Sequence, residues 1–259
     1  MEMTNKQPKV SLVTAVYNGE KTVGQTITSI QTQTYKNIEH IIIDGNSADN
    51  SIEVIKSHNH PKLKMISESD QGIYHALNKG ITLSTGDIIG FVHSDDFLCQ
   101  KDAIKKIVQA FSKTQTSAVY SDLDYVAQSD PSKIIRHWSA GEFLPSRLKH
   151  GWMPPHPTLY LPRSVYEKYG MFKTDYQVAA DYEFILRVFS QIKGDVFYIP
   201  ETLYKMRIGG ISTTSIFTKM REDYRAMRCH KTGNVITLLR KNFSKLKQFQ
   251  WNNMILGKS

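Results

Sequence analysis

Two adjacent carboxylates, Asp95 and Asp96, follow Ser94 and the apolar run Asp87-Ile88-Ile89-Gly90-Phe91-Val92-His93. A buried strand that ends in such a pair delivers two negative charges to the carboxyl edge of a sheet, where open α/β sheets bind ligands. Hard divalent cations take oxygen ligands, commonly one or two carboxylates together with substrate phosphates. The pair therefore points to a cation bridging the protein and a diphosphate. Taken alone it reads equally well as a loop whose Asp caps the next helix. Two other apolar runs end in the same way, at Tyr17-Asn18-Gly19 and at Asp44-Gly45. Three polar strand ends on one edge favour a nucleotide site over three unrelated caps.

The elements that must position these residues follow from apolar periodicity. Residues 10–16, 39–43, 63–67 and 87–93 read as strands. Residues 21–33, 49–57, 72–83 and 101–114 read as helices, the last with Ile104, Ile107, Val108 and Phe111 on one face. Strands alternating with helices predict a mostly parallel central sheet with helices on both faces. Beyond 117 the pattern is less regular: strands at 118–126, 134–138, 197–199 and 203–207, helices at 181–189, 215–229 and 235–254.

The formal charge of +9 is unevenly placed. Residues 219–259 hold ten Lys/Arg against two Asp/Glu, leaving the rest of the chain nearly neutral. A basic tail seeks an anionic partner such as a membrane surface, nucleic acid or acidic substrate. Cys99 and Cys229 are the only cysteines and lack metal-type spacing, so reduced thiols are expected. Residues 1–9 lack an apolar signal segment, and no apolar window is long enough to cross a bilayer. The expected location is cytoplasmic, with peripheral contact at the inner face of the plasma membrane.

Five stretches stand in order: Val13-Thr14-Ala15-Val16-Tyr17-Asn18, Asp44-Gly45-Asn46-Ser47-Ala48-Asp49-Asn50-Ser51, Glu68-Ser69-Asp70-Gln71-Gly72-Ile73-Tyr74, Ala76-Leu77-Asn78-Lys79-Gly80-Ile81 and His93-Ser94-Asp95-Asp96. Together they resemble the family 2 glycosyltransferases of GT-A fold, especially bacterial enzymes of O-antigen, capsule and exopolysaccharide synthesis. The resemblance covers about residues 8–212. It implies a transferase domain over 1–214, with a nucleotide-sugar half at about 8–115 and an acceptor half at about 116–214, followed by a basic helical extension over 215–259. It implies a nucleotide-sugar donor, UDP favoured, with Thr14, Ala15, Tyr17 and Asn18 lining the base pocket and Asp44 accepting from the base imide N–H. Asp70 is expected near ribose or sugar, or as the cap of helix 72–83. Lys79 is expected at a phosphate or on a solvated helix face. Ser94 and Asp95 fall on the ribose and sugar side, and Asp96 on the metal, Mn2+ or Mg2+.

On the acceptor side, inverting transfer needs a base to take the hydroxyl proton. The resemblance places it at Asp181 in Ala179-Ala180-Asp181-Tyr182-Glu183, with Glu183 as the fallback. Pro155-His156-Pro157-Thr158 matches a loop beside acceptor and sugar, where His156 meets a hydroxyl or stabilises the loop. Arg207-Ile208-Gly209-Gly210-Ile211-Ser212 matches a segment that folds over the diphosphate, with Arg207 on phosphate. The Gln-x-x-Arg-Trp motif of polymerising relatives is missing after Asp181, which implies one transfer per encounter. Acceptors in such pathways are glycans or lipid-linked diphosphates.

In 235–254, Val235, Leu239, Phe243, Leu246 and Phe249 share a helical face, with Arg240, Lys241, Lys245 and Lys247 on or near the other. That pattern suits an interfacial helix on anionic lipid. A helix packed on the body, or on a second subunit of a homodimer, is the alternative. Other functions fit less well. A nucleotidyltransferase needs a Gly-rich basic phosphate loop after the first strand, a dehydrogenase needs G-x-G-x-x-G there, and Thr14-Ala15-Val16-Tyr17-Asn18-Gly19 has neither. Nucleic-acid binding by the tail would call for basic or aromatic stripes on the body as well, so nucleic acid is not the expected partner.

Overall fold

A computed structural model of the chain describes residues 7–58, 60–113, 116–209 and 216–241. Its first sheet has the order β3-β2-β1-β4-β8: Leu63–Ser67, Ile38–Asp44, Val10–Val16, Ile88–Phe91 and Leu161–Pro162. The first four strands are parallel and the last is antiparallel. Every residue of β2 is buried, as a central strand covered on both faces requires. Helices α1 (Val23–Gln31), α2 (Ser51–Ser57) and α3 (Ile73–Leu83) supply the crossovers, and α4 (Ala103–Phe111) leads on to the second sheet. This is the α/β, mostly parallel architecture that the alternating pattern predicts.

Strand order reverses between β1 and β4. The crevice outside such a switch point is where open α/β sheets take ligands. Tyr17-Asn18 leaves β1 on one side of it and Ser94-Asp95 leaves β4 on the other. Val16 is paired with Asp44 and Asp44 with Ser67, so the polar strand ends lie level.

A second sheet has the order β5-β9-β6-β7: Asp96–Leu98, Asp195–Arg207, Thr116–Val126 and Ile134–Trp138. The two strands expected at 197–199 and 203–207 are one strand, β9. Proline cannot donate to a ladder, and Pro200 is accommodated by a register shift in which Ser121 pairs with Ile199 and Asp122 with Thr202. The short β5, a four-residue helix α5 (Pro145–Leu148) and α6 (Arg163–Tyr169) lack a periodic signal and were not expected. A 3-10 turn, His156–Thr158, and helix α7 (Ala180–Phe189) follow, and α8 (Ile216–Cys229) opens the C-terminal extension. A helical segment follows at 235–241.

The two sheets are joined at Gly90, where an added Cβ would come 2.2 Å from the ring of Tyr160. Tyr160 bridges to Val119 of β6 and packs in the core with Tyr204 of β9. Ala226 and Met227 of α8 belong to the same apolar cluster as α7, so the extension is built into the core as far as it is described.

Candidate active site

The Asp95-Asp96 turn is held from both sides. From α1, the Thr26 hydroxyl lies 2.7 Å from the Asp96 carbonyl oxygen and 3.1 Å from that of Ser94. From β9, Arg207 Nη1 donates to the Asp95 carbonyl at 2.6 Å and Nη2 donates to Gln25 Oε1. Asp96 opens β5, paired with Met206. Its carboxylate is fully buried, and neither oxygen has a hydrogen-bond partner among the described residues. Burial first, then the charge of Asp95, push Asp96 well above the usual carboxylate range, against the opposing pull of Arg207. A buried carboxylate left without partners is an unfavourable state for an isolated chain. A cation is the group that would relieve it, so the residues fit a divalent metal. Among the described residues no three His, Cys, Asp or Glu could hold one together. An ion here would draw its remaining ligands from phosphate and water, the usual pattern for Mg2+.

Across the switch point, Tyr17 is 54% exposed, an unusual amount for an aromatic beside a core. Gly45 lies under its ring: a Cβ there would come 3.4 Å from Tyr17 Cδ2 and 2.9 Å from Asp70 Oδ2. Tyr17, the Gly45 backbone and Asp70 thus form one rim. Asn18, at φ 51°, adopts the left-handed conformation that Asn tolerates. It ties that rim together, donating its N–H to Ser47 Oγ and accepting from Ala48 N–H, both at 2.9 Å. Asp44 sits at the end of β2 as expected but is covered. It accepts from the Ser47 N–H and hydroxyl and from the Ser67 hydroxyl at 2.7 Å. Asp70 accepts the Gly72 N–H at 2.8 Å, the turn role at the start of α3.

Asp181 stands in the first turn of α7, where the helix dipole favours an ionised carboxylate. Its charge is felt by Tyr74, His93, His156 and Tyr125, which places it with the residues at the end of β4. Tyr74 Oη donates to it at a long 3.4 Å. His93 and His156 lie 5.7 Å apart, ring to ring. Burial lowers both, His156 to about 4 and His93 against the pull of Asp95 and Asp181, so both are neutral at pH 7. Tyr125 is pushed up to about 12, by burial first and with Asp96 and Asp181 both contributing. Its ring stacks on Trp138, with the Arg136 guanidinium 4.9 Å away.

Thr14, Arg207 and Glu183 are placed differently from the sequence-based expectation, and Lys79 takes the helix-surface alternative. Thr14 lies inside the sheet, its hydroxyl donating to the Val92 carbonyl at 2.7 Å and paired with His40 Nε2 at 2.9 Å, because β1 is a central strand covered on both faces. Lys79 is engaged with Glu68 on the surface. Arg207 turns its guanidinium onto the Asp95 backbone and Gln25, supporting the acidic turn. Glu183 points away from Asp181 into an ionic cluster with Arg187 at 2.9 Å, Lys173 at 3.0 Å and His230 at 2.8 Å. Two positions apart on a helix face different ways, so Asp181 and Glu183 cannot share the site. Ala15 and Ser94 remain half-buried at the edge. Residues 210–212 of the expected diphosphate segment lie outside the described residues. Thr26, Gln25, Tyr74 and Tyr125 were not expected. Only Tyr74 carried a signal, as the last residue of a recognised stretch.

A mostly parallel α/β sheet, with acidic residues at its carboxyl edge and a second sheet packed beside it, is an architecture suited to a nucleotide-type transferase. The family model described as Glycosyl transferase family 2 matches residues 11–177. An uncharacterized glycosyltransferase of Mycobacterium tuberculosis is 32% identical over 183 residues, 70% of this chain and 68% of that protein. This chain belongs to glycosyltransferase family 2 and is a transferase. Its fold is shared with S. aureus TarS 1-349 in complex with UDP-GlcNAc (TM-score 0.72, 18% identity, 86% of this chain and 65% of that one). It is shared also with the mannosyltransferase PcManGT from Pyrobaculum calidifontis in complex with GDP-Man and Mn2+ (TM-score 0.62, 18% identity, 87% of this chain and 64% of that one). The chain thus spans just under two thirds of those two structures.

Proposed function

We propose that this chain is an inverting, metal-dependent, non-processive glycosyltransferase. It moves a sugar from a nucleotide-sugar, UDP favoured, to a hydroxyl of a glycan or lipid-linked acceptor in bacterial surface polysaccharide synthesis. The observation that carries this reading is the Asp96 carboxylate, fully buried and unpartnered at the switch-point edge. The complexes of TarS with UDP-GlcNAc and of PcManGT with GDP-Man and Mn2+ support a nucleotide-sugar donor and a divalent ion for this fold.

Tyr17 offers an exposed ring against which a base can pack. Asp44 offers an oriented acceptor for a base imide once Ser47 yields part of its hold. Asp96, beside Asp95, would hold Mn2+ or Mg2+, whose chemistry is to neutralise the diphosphate as it departs. Asp181 takes the proton of the acceptor hydroxyl as that oxygen bonds to the anomeric carbon. The bond from that carbon to the diphosphate oxygen breaks, and the nucleoside diphosphate leaves with the electron pair. Attack opposite the leaving group inverts the anomeric centre, and Asp181 then returns its proton to solvent.

Calorimetric titration of UDP, dTDP, GDP and ADP, with Mn2+ and with EDTA, tests the donor side. Metal-dependent binding of one nucleotide is expected, and no binding to folded protein would sink the reading. On the base side, Asp181→Asn should keep nucleotide binding and lower turnover by about 10²–10⁴-fold.

The membrane contact proposed for 235–254 rests on Val235 and Leu239, both exposed in the segment 235–241. Lys241, expected toward lipid, is instead buried against Asp223 at 2.8 Å. Phe243, Leu246, Phe249, Lys245 and Lys247 lie outside the described residues. Among the described residues no helix is long and apolar enough to cross a membrane. Removing 235–259 should reduce co-sedimentation with anionic liposomes while leaving nucleotide binding intact. Unchanged sedimentation would rule the tail out as the anchor.

A further inference from the structure

The Asp181 helix has no side-chain cap of its own, since its N-cap residue is Ala179. The donors there are taken instead by a residue far along the chain. Glu222 of α8 is buried and accepts three successive backbone N–H groups, from Gln177 at 2.8 Å, Val178 at 2.9 Å and Ala179 at 3.0 Å. The last of these is two residues before Asp181. Further contacts from the same part of the chain fix either side of Asp181. Arg225 pairs with Asp175 and lies 4.4 Å from the centre of the Tyr176 ring, and His230 meets Glu183 at 2.8 Å. Neither Glu222 nor Asp181 falls within the segment 11–177 that the family model matches.

We infer that Glu222 is a positioning residue for Asp181: its carboxylate fixes the backbone that leads into α7 and so sets where the base stands relative to the acceptor hydroxyl. The inference rests on the reading of Asp181 as the base. A carboxylate suits the task because it is acceptor-only, with about four lone-pair sites. A glutamine there would turn an NH2 group toward at least one backbone N–H. Positioning matters to rate because a misplacement of about 1 Å can lower turnover by about 10²-fold.

The test uses the full chain carrying Glu222→Gln, Glu222→Ala or Asp181→Asn. Turnover is read as nucleotide release from whichever of UDP-GlcNAc, UDP-glucose, dTDP-rhamnose and GDP-mannose the wild type uses fastest. Amide hydrogen exchange is followed at residues 177–179. Both Glu222 variants should exchange faster there and lose about 10–100-fold in kcat, with donor KM within about twofold, the signature of misplaced chemistry rather than lost binding. Glu222→Gln, which keeps one acceptor oxygen and the shape, should retain more activity than Glu222→Ala. Unchanged exchange at 177–179 overturns the inference, and so does unchanged kcat in both variants. A loss confined to KM overturns it as well, since it would mark a binding or general structural role. If Asp181→Asn keeps full turnover, the base reading itself fails. If Asp181→Asn is inactive while both Glu222 variants are fully active, only the positioning role fails.

Discussion

Asp96 and Glu183 are both carboxylates with no exposure to solvent, and their surroundings treat them in opposite ways. Around Asp96, burial and then Asp95 push the group up, and Arg207 alone pulls the other way without outweighing them. Around Glu183, burial also pushes up, but hydrogen bonds from His230, Arg187 and Lys173 outweigh it and hold the group at about 2. A buried charge surrounded by partners belongs to the framework. A buried carboxylate without them marks a place kept for something from outside. Asp96 opens β5 at the sheet edge, whereas Glu183 stands in the first turn of α7 and meets His230, just past α8.

The sharpest way to break this contrast is to remove each group. Glu183→Ala leaves Arg187 and Lys173 without their shared anion. Breaking a buried ion pair from one side costs about 3–5 kcal/mol. In a domain of this size that is a fall in Tm of about 10 °C, read by thermal denaturation. Asp96→Asn keeps the size of a group that burial already pushes toward its neutral form, so the metal-free protein should melt no lower than wild type. A large destabilisation by Asp96→Asn would show that the group has structural partners after all.

Acid separates the two as well. The ordinary value for Glu183 is 4.5 and its folded value is about 2. A depressed folded pKa contributes stability that is fully present above 4.5 and is lost as pH falls from 4.5 toward 2. The contribution is about 3 kcal/mol, at 1.36 kcal/mol per pKa unit. Glu39 titrates over the same window, held at about 2 by Lys9, Ser11 and Thr85 against the upward push of burial. Denaturation midpoints between pH 5 and pH 2.5 should therefore decline less steeply in Glu183→Gln than in wild type, by about half. An identical slope in the two proteins would remove Glu183 from the framework.

With metal and nucleotide added, the order of sensitivity reverses. Asp96→Asn should weaken UDP binding in Mn2+ by at least about tenfold, about 1.4 kcal/mol, and leave it unchanged in EDTA. Glu183→Gln, folded at 20 °C, should bind as wild type does in both conditions. Equal losses in the two variants would mean that the Asp96 effect is general.

The parallel half of the fold was legible because each strand there is a continuous apolar run and each helix repeats every three to four residues. Asp44 and Asp96 were placed at strand ends for the same reason. The rest failed where information is not local. Thr14 lies in a central strand buried on both faces, where alternation gives no signal, and only the neighbouring strand shows that His40 and the Val92 carbonyl await it. The destinations of Arg207, 182 positions from its partner Gln25, and of Glu183, 47 from His230, are set by how β9 and α8 pack and by nothing adjacent in sequence. Pro200 broke one strand into two on paper because the bulge that accommodates it lies in its pairing with β6.

Lys79 supplies the smallest expected effect and extends the contrast to the surface. Its ammonium pairs with Glu68, whose side chain is 55% exposed, and Lys79 itself is 29% exposed. An ion pair in such a setting contributes about 0.2–1 kcal/mol and is screened by salt. Lys79→Ala should therefore shift Tm by no more than about 2 °C and leave UDP affinity in Mn2+ within about twofold. The alternative is that bound diphosphate draws Lys79 away from Glu68. In that case the affinity loss would exceed tenfold at low salt and shrink as salt rises, because a phosphate contact is an exposed charge pair screened over about 10 Å at 0.1 M. Glu68→Gln discriminates further. Freed from its partner, Lys79 would then strengthen nucleotide binding if it serves phosphate and leave it unchanged if it serves only the helix surface.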